Sequence, residues 1–138
     1  MSMEAEMKLA ALIVLAGLAA GCTMEEPIEV AHETDGAVAE AVAGRIAGDP
    51  QSCVEMRRIR SSRAIGDDAI LYEGTGDTVY LNRPAGGCQS LGMGRSLRTR
   101  TISSSLCRGD IVTVFDPVSG TEYGGCGLGD FVPYRRAR

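Results

Sequence analysis

Residues 69–83 read Ala-Ile-Leu-Tyr-Glu-Gly-Thr-Gly-Asp-Thr-Val-Tyr-Leu-Asn-Arg, and they decide the fold class of the chain. Two short runs rich in apolar and aromatic residues flank the turn-forming segment Gly-Thr-Gly-Asp at 74–77. Such runs on either side of a glycine-containing loop are typical of an antiparallel β-hairpin. The pattern predicts strands over 69–73 and 78–83, joined by a hairpin loop from Glu73 to Thr78.

The same alternation continues on both sides of this hairpin. Further strands are predicted over Cys53–Arg60, Arg95–Ser103, Asp110–Phe115 and Gly127–Tyr134. Clusters of Gly, Pro, Asp and Ser separate them, and no long helical pattern follows Pro50. Short strands at roughly ten-residue spacing predict an all-β domain over 51–138, an antiparallel meander closed into a small barrel or sandwich.

Four cysteines lie in this domain, and a domain of this size often needs disulfides to be stable. Four cysteines allow three pairings. The favoured pairing joins Cys53 to Cys126, which ties the ends of the domain together, and Cys88 to Cys107. A structural zinc site needs closely spaced cysteine pairs, which this spacing lacks, so we expect no metal and no cofactor.

The amino-terminal segment predicts export. Lys8 precedes an apolar run of 13 residues, from Leu9 to Gly21, which is shorter than the about 20 residues that span a bilayer. The run ends Leu-Ala-Ala-Gly-Cys at 18–22 and resembles the lipobox of bacterial lipoproteins. The resemblance implies a signal peptide over 1–21, with Met7 as the better start, and lipidation of Cys22 by a diacylglycerol thioether and an amide-linked palmitate-type acyl chain.

Localisation follows from the same resemblance. Residue 23 is Thr, whereas Asp at this position favours retention in the inner membrane of enteric-type bacteria. The expected location is therefore the periplasmic face of the outer membrane. Three acyl chains would make release from that membrane negligible.

Residues 22–50 predict a lipidated acidic tether, because the stretch after Cys22 holds seven carboxylates, one arginine and no aromatic residue. A short helix is predicted within it over 35–47, where Val38, Val42 and Ile46 recur at helical spacing.

Charge and composition exclude several functions. The whole chain of 138 residues has a net charge of −4 and an aromatic content of 4%, which argues against nucleic-acid binding. The domain over 51–138 has the opposite sign, because its twelve arginines exceed its nine carboxylates by three. We expect this domain to bind an anionic component or an envelope protein, and we expect the chain to contact the membrane through its N-terminal lipid.

The domain also resembles a family of small proteobacterial envelope proteins known only as a domain of unknown function. The residues that carry the resemblance, beside the four cysteines, are Ile59, Arg63-Ala64-Ile65-Gly66-Asp67-Asp68, Ile70-Leu71, Tyr80-Leu81, Leu91 and Leu106-Cys107-Arg108-Gly109-Asp110. They span about 75 residues, essentially the whole domain. The resemblance implies an architecture and an envelope location, and it implies no activity.

Candidate binding residues are arginines. The candidate anion-binding side chains are Arg57, Arg58, Arg60, Arg63, Arg98 and Arg100. If their strands are neighbours, these guanidinium groups would bind phosphate or carboxylate oxygens in bidentate fashion. The alternative is a solvated face paired with nearby Asp residues.

No catalytic residue is predicted. Asp67, Asp68 and Asp110 occupy predicted turns, where carboxylates bond nearby backbone N–H groups. Ser103-Ser104-Ser105 has no histidine in the domain to act as a base. An Asp-dependent hydrolase would need Asp67, Asp68, Asp110 or Asp130 to meet in one pocket.

These observations predict a non-enzymatic lipoprotein that binds or supports another component of the envelope. The main alternative is an inhibitor of a secreted hydrolase such as lysozyme, with residues 73–78 or 119–125 as the loop that enters the enzyme cleft.

Overall fold

The structure, a computed structural model, describes residues 29–138. The predicted signal peptide, Cys22 and the first part of the predicted tether lie outside this range. The elements are helix α1 Glu29–Ala41 and strands β1 Arg45–Ala47, β2 Cys53–Glu55, β3 Ile59–Ile65, β4 Ala69–Gly74, β5 Val79–Asn82, β6 Ser96–Thr99, β7 Ser105–Cys107, β8 Ile111–Phe115, β9 Glu122–Gly127 and β10 Phe131–Arg136, with a single 3₁₀ turn at Met56–Arg58.

Within residues 29–138 all strand pairs are antiparallel, and they form three sheets. A five-stranded sheet has the order β1-β10-β5-β4-β3, a three-stranded sheet has the order β6-β8-β9, and β2 pairs with β7. The predicted all-β class is confirmed. The described strands form a sandwich-like arrangement and not a closed barrel.

The predicted hairpin forms the middle of the large sheet, and both of its faces are buried. Successive side chains of a strand point to opposite faces. Ile70 and Tyr72 pack with Phe131 against the small sheets, while Leu71 and Leu81 pack beneath α1. The large sheet is therefore a middle layer between the helix and the other strands.

The helix begins earlier than predicted and ends sooner. The sequence predicts a helix over 35–47, whereas α1 ends at Ala41. Gly44 then adopts a φ of 72°, a left-handed conformation that glycine reaches at little cost. Residues 45–47 form β1 and pair with β10, so this part of the predicted tether belongs to the folded domain.

Three predicted strands also differ from the observed ones. The predicted strand Cys53–Arg60 is interrupted by the 3₁₀ turn, and the predicted strand Arg95–Ser103 is reduced to β6. The predicted strand Gly127–Tyr134 is wrong, because Leu128–Asp130 connects the end of β9 to β10. The prediction missed β9 because glycine, which is depleted in strands, occupies half of it.

The favoured disulfide pairing is wrong. The structure joins Cys53 to Cys107 and Cys88 to Cys126, with Cα–Cα distances of 4.0 and 5.5 Å. Cys53 and Cys107 are directly opposed in the β2–β7 pair. Long-range strand pairing determines these partners, and the spacing of cysteines along the chain does not.

Candidate functional site

Three arginines line one cleft at the edge of the large sheet. The cleft has a volume of about 290 Å³, and Arg45, Arg60 and Arg63 contribute to its wall. Ala41 of α1 and Leu71 and Val79 of the hairpin also line it, but Leu71 and Val79 are only 1% and 7% exposed, so the surface of the cleft is mainly polar. We refer to it as the arginine cleft.

Local backbone structure places these guanidinium groups. Arg60 lies where the β3–β4 register shifts between Ile59 and Ser61, so it occupies a β-bulge, a feature that redirects a side chain. Arg63 is opposite Leu71 and shares the helix-facing side of the sheet. The Arg45 Nε donates a hydrogen bond to the backbone carbonyl of Asp77 at 3.3 Å, which orients that side chain beside the hairpin loop.

The cleft carries an excess of positive charge. Glu73 is the carboxylate that lines it, and its Oε1 lies 4.0 Å from the Arg63 Nε. The Ser61 hydroxyl donates to the other Glu73 oxygen at 3.1 Å. Arg136 lies directly opposite Arg45 in the β1–β10 pair and adds to the positive potential. Several guanidinium groups beside one carboxylate suit an anion.

The remaining predicted arginines lie elsewhere. Arg57 and Arg58 flank Glu55, with Nε–Oε2 distances of 2.8 and 3.3 Å. The hydrogen bond and charge of Arg57, together with the charge of Arg58, lower the pKa of Glu55 below its usual value. Both guanidinium groups therefore have a partner within their own turn.

Arg98 lies on β6 of the three-stranded sheet. It donates to Glu122 at 2.9 Å, and its guanidinium lies 4.5 Å from the centre of the Phe115 ring. Arg100 is exposed just after β6. Of the six predicted arginines the structure thus brings Arg60 and Arg63 together in the arginine cleft. It adds Arg45, which sequence reasoning missed because that residue fell in the predicted tether.

The predicted turn carboxylates have structural partners. Asp110 Oδ2 accepts the Cys107 N–H at 2.8 Å, and the Asp110 N–H donates to the Cys107 carbonyl at 3.0 Å. Gly109 between them has a φ of 89°, as the third residue of a type II turn requires. The Arg-Gly-Asp sequence at 108–110 is therefore part of a turn.

Asp68 and Asp130 are bound by different arginines. Asp68 Oδ2 lies 3.5 Å from Arg83, and Asp130 Oδ1 lies 3.1 Å from Arg108. The Asp67 backbone carbonyl accepts the Cys88 N–H at 3.1 Å. The Asp68 and Asp130 carboxylates thus form surface ion pairs, and Asp68 Oδ1 is buried without a hydrogen-bond partner within residues 29–138. The Asp67 hydrogen bond belongs to its backbone and not to its carboxylate.

A second cleft lies beside β9. It has a volume of about 280 Å³ and lies between residues 86–90 and residues 123–126, with Val114 beneath. Its walls are mainly glycine backbone, with the uncharged side chains of Gln89 and Ser90 and the ring of Tyr123. We refer to it as the β9 cleft.

The two loops considered for inhibition differ in shape. In the loop over 73–78 the Gly74 N–H donates to the Thr78 carbonyl at 2.9 Å, and its residues line the arginine cleft. The predicted loop over 119–125 is wrong in its second half, because residues 122–127 form β9, and a turn over 116–121 precedes that strand. Val118 in this turn is 94% exposed. Asp116 Oδ1 accepts the N–H groups of Ser119 and Val118 at 3.0 and 2.7 Å, and these bonds lower the pKa of Asp116 below its usual value.

Within residues 29–138, no group of three His, Cys, Asp or Glu side chains is placed to hold a metal ion. In the same part of the chain, α1 lacks the length and the apolar character needed to cross a membrane. Comparison of the chain with protein-family models, with curated proteins and with solved structures finds no match.

Proposed function

We propose that this protein is a lipid-anchored, non-enzymatic binding module of the bacterial envelope, and that the arginine cleft takes an anionic ligand. The observation that carries the proposal is that Arg45, Arg60 and Arg63 share one cleft with one carboxylate, Glu73. Guanidinium groups bind phosphate and carboxylate oxygens in bidentate fashion. Phospholipid headgroups and acylated phosphosugars of the outer membrane have this chemistry.

Anchoring and location rest on the sequence. The lipobox ending at Cys22 supports lipidation, and Thr23 supports the outer membrane. The two disulfides support an oxidising compartment. The intact mass of the purified protein tests the anchor, since the proposal requires a chain that begins at Cys22 and carries acyl chains. A product without acyl mass, or one that still contains Met7, would refute it.

The binding proposal is tested by calorimetry on the full lipidated chain in neutral detergent. The probes are dihexanoyl phosphatidylglycerol, which is anionic, and dihexanoyl phosphatidylcholine, which has no net charge. We expect the anionic probe to bind more tightly, with an affinity that falls as salt rises.

Matched variants separate the cleft from general surface charge. The pair R60Q and R63Q removes two cleft guanidinium groups and should weaken the anionic probe by roughly tenfold or more, since a charge-assisted hydrogen bond contributes about 1.5–3 kcal/mol. The pair R100Q and R135Q removes the same charge from positions outside the residues that line the cleft. Equal losses in both pairs, or equal binding of the two probes, would refute a specific anion site.

The turn over 116–121 supports a second candidate function, inhibition of a secreted hydrolase. Its tip presents the exposed side chain of Val118 on a backbone that Asp116 already orders, and such preordering lowers the entropy cost of insertion into an enzyme cleft. Lysozyme assays of each type, with the wild type and V118D, test this function. The absence of inhibition by the wild-type chain would remove this candidate.

A further inference from the structure

We propose that β9 is a docking edge, to which an extended, uncharged segment of another polypeptide adds as a fourth strand of the β6-β8-β9 sheet. This interaction is separate from the arginine cleft and does not depend on the function proposed for it. Strand addition to an exposed sheet edge is a general mode of peptide recognition, in which main-chain hydrogen bonds supply the affinity.

The outer edge of β9 is unpaired. In the sheet order β6-β8-β9 this strand is terminal. The N–H of Leu128, just after β9, donates to the carbonyl of Asp110, just before β8, at 2.9 Å. Because hydrogen-bonding directions alternate along a strand, Gly125 and Gly127 direct their N–H and C=O groups away from β8. Within the part of the chain that the structure describes, no backbone hydrogen bond outside the β8–β9 pair reaches these groups.

A β-bulge protects only part of this edge. The β8–β9 register shifts next to Gly124, which has a φ of 96°, and such a bulge twists an edge away from a neighbour. The regular part of the edge is therefore Gly125–Gly127, and β9, which reads Glu-Tyr-Gly-Gly-Cys-Gly, has no lysine or proline to block it. Its one charged residue, Glu122, stands at the start of the strand and is paired with Arg98 at 2.9 Å. The three glycines present backbone to a neighbour without an intervening side chain.

The β9 cleft gives the edge a facing wall. Residues 86–90 lie across the cleft from 123–126, and the Cys88–Cys126 disulfide joins the two sides. The Leu91 N–H donates to the Cys88 carbonyl at 2.9 Å, which adds order to the wall. Tyr123 is braced, because the Arg95 guanidinium lies 3.6 Å from its ring centre and donates to the Ser90 carbonyl at 3.0 Å.

The dimensions and chemistry of the cleft select the occupant. Its volume of about 280 Å³ is near the lower end of the range for ligand sites, which favours a single extended chain over a bulkier ligand. The lining side chains Gln89, Ser90 and Tyr123 are uncharged, which favours uncharged side chains in the segment.

Gly127 offers a matched pair of variants. Its N–H faces the free edge, where proline is tolerated in a strand, so G127P removes one docking donor and leaves the β8–β9 hydrogen bonds in place. A Cβ at this position meets only the Ile111 Cδ1 at 3.8 Å, an ordinary contact. G127A therefore adds a side chain and keeps the donor. Urea unfolding and disulfide mapping of both variants confirm that the fold is retained.

The probe is a random heptapeptide display library, panned against the full chain in neutral detergent. We expect enriched peptides that are uncharged, that bind better than their scrambled versions, and that lose binding when alternate backbone amides are N-methylated. G127P should bind the selected peptides roughly tenfold more weakly than G127A, which corresponds to one hydrogen bond of about 1.4 kcal/mol.

Three results would overturn the proposal. The first is that no peptide is enriched over its scrambled version. The second is equal binding by G127P and G127A, or by a peptide and its N-methylated form. The third is a dimer of the full chain in light scattering that dissociates with G127P and not with G127A, because the occupant of the edge would then be a second copy.

Discussion

Asn82 should be the polar side chain on which the stability of the domain depends most. It is fully buried at the end of β5. Its Nδ2 donates to the Gly129 carbonyl at 2.8 Å, and its Oδ1 accepts the Gly129 N–H at 3.0 Å. This reciprocal pair replaces two backbone hydrogen bonds and holds the 128–130 connection, which leads from β9 to β10, against the large sheet.

The cost of removing this side chain follows from the groups that it satisfies. N82A leaves the N–H and the C=O of Gly129 without their partner, and each unsatisfied group costs about 1–3 kcal/mol. The two groups together give an expected loss of about 2–6 kcal/mol, a large share of the roughly 5–15 kcal/mol that stabilises a typical domain. Urea unfolding of the oxidised chain measures it. S61A removes an exposed hydrogen bond to Glu73 and, as the control, should cost less than about 0.5 kcal/mol.

The pH dependence of the stability of N82D tests the same pair of hydrogen bonds to Gly129. An ionised aspartate keeps the acceptor and loses the donor toward the Gly129 carbonyl, and burial raises the pKa of such a carboxyl in the folded state. The folded state then holds its proton to a higher pH than the unfolded state does. The stability of N82D relative to wild type should therefore fall as pH rises from about 4, the unfolded pKa, and recover on acidification. A loss below 1 kcal/mol for N82A, or a pH-independent N82D, would refute the reasoning.

Three further predictions concern other positions. Y72F should be neutral or stabilising in urea unfolding, because the buried Tyr72 hydroxyl has no hydrogen-bond partner among the described residues. Burial also raises the Tyr72 pKa, so wild type should lose stability relative to Y72F as pH rises above about 10, where the unfolded tyrosine ionises. G129A should strongly destabilise the fold, since its Cβ would collide with the Arg83 carbonyl. G36A adds a Cβ in open space on α1 and should stabilise the fold by about 0.5–1 kcal/mol. Equal effects of the two variants in thermal unfolding would contradict both expectations. The lowered pKa of Asp116 predicts that the Ser119 and Val118 amides are protected from hydrogen exchange at neutral pH. This protection should be lost as the pH falls below the lowered pKa, and D116N should not show this pH dependence.

The hairpin over 69–83 could be predicted from the sequence because its signal is local. Alternating apolar residues and a glycine-containing loop determine β4 and β5, and the observed register joins Tyr72 to Tyr80 as a hairpin requires. The Cys107–Asp110 turn was predictable for the same reason. Each of these features depends on residues within a few positions of one another.

The features that the sequence analysis missed depend on distant contacts. Local periodicity predicts that 45–47 ends a helix within the acidic tether, yet β10 supplies the edge on which that segment forms β1 and places Arg45. Glycine-rich β9 is a strand because β8 pairs with it, and intrinsic propensity alone opposes it. The disulfide partners follow from the β2–β7 pair and from the position of β9, which chain spacing does not encode.

The two proposed surfaces belong to different layers, and this makes each a control for the other. The arginine cleft lies on the helix-facing side of the large sheet, where the buried residues Leu71 and Val79 lie at its base. The β9 edge belongs to the three-stranded sheet, which packs on the opposite face of the large sheet through Val112 and Val114. Separate sites without shared partners usually give additive effects. Replacing Arg60 and Arg63 with glutamine should therefore leave peptide binding unchanged, and G127P should leave binding of the anionic probe unchanged. A variant that weakened both would indicate a general loss of structure, and neither site could then be inferred from it.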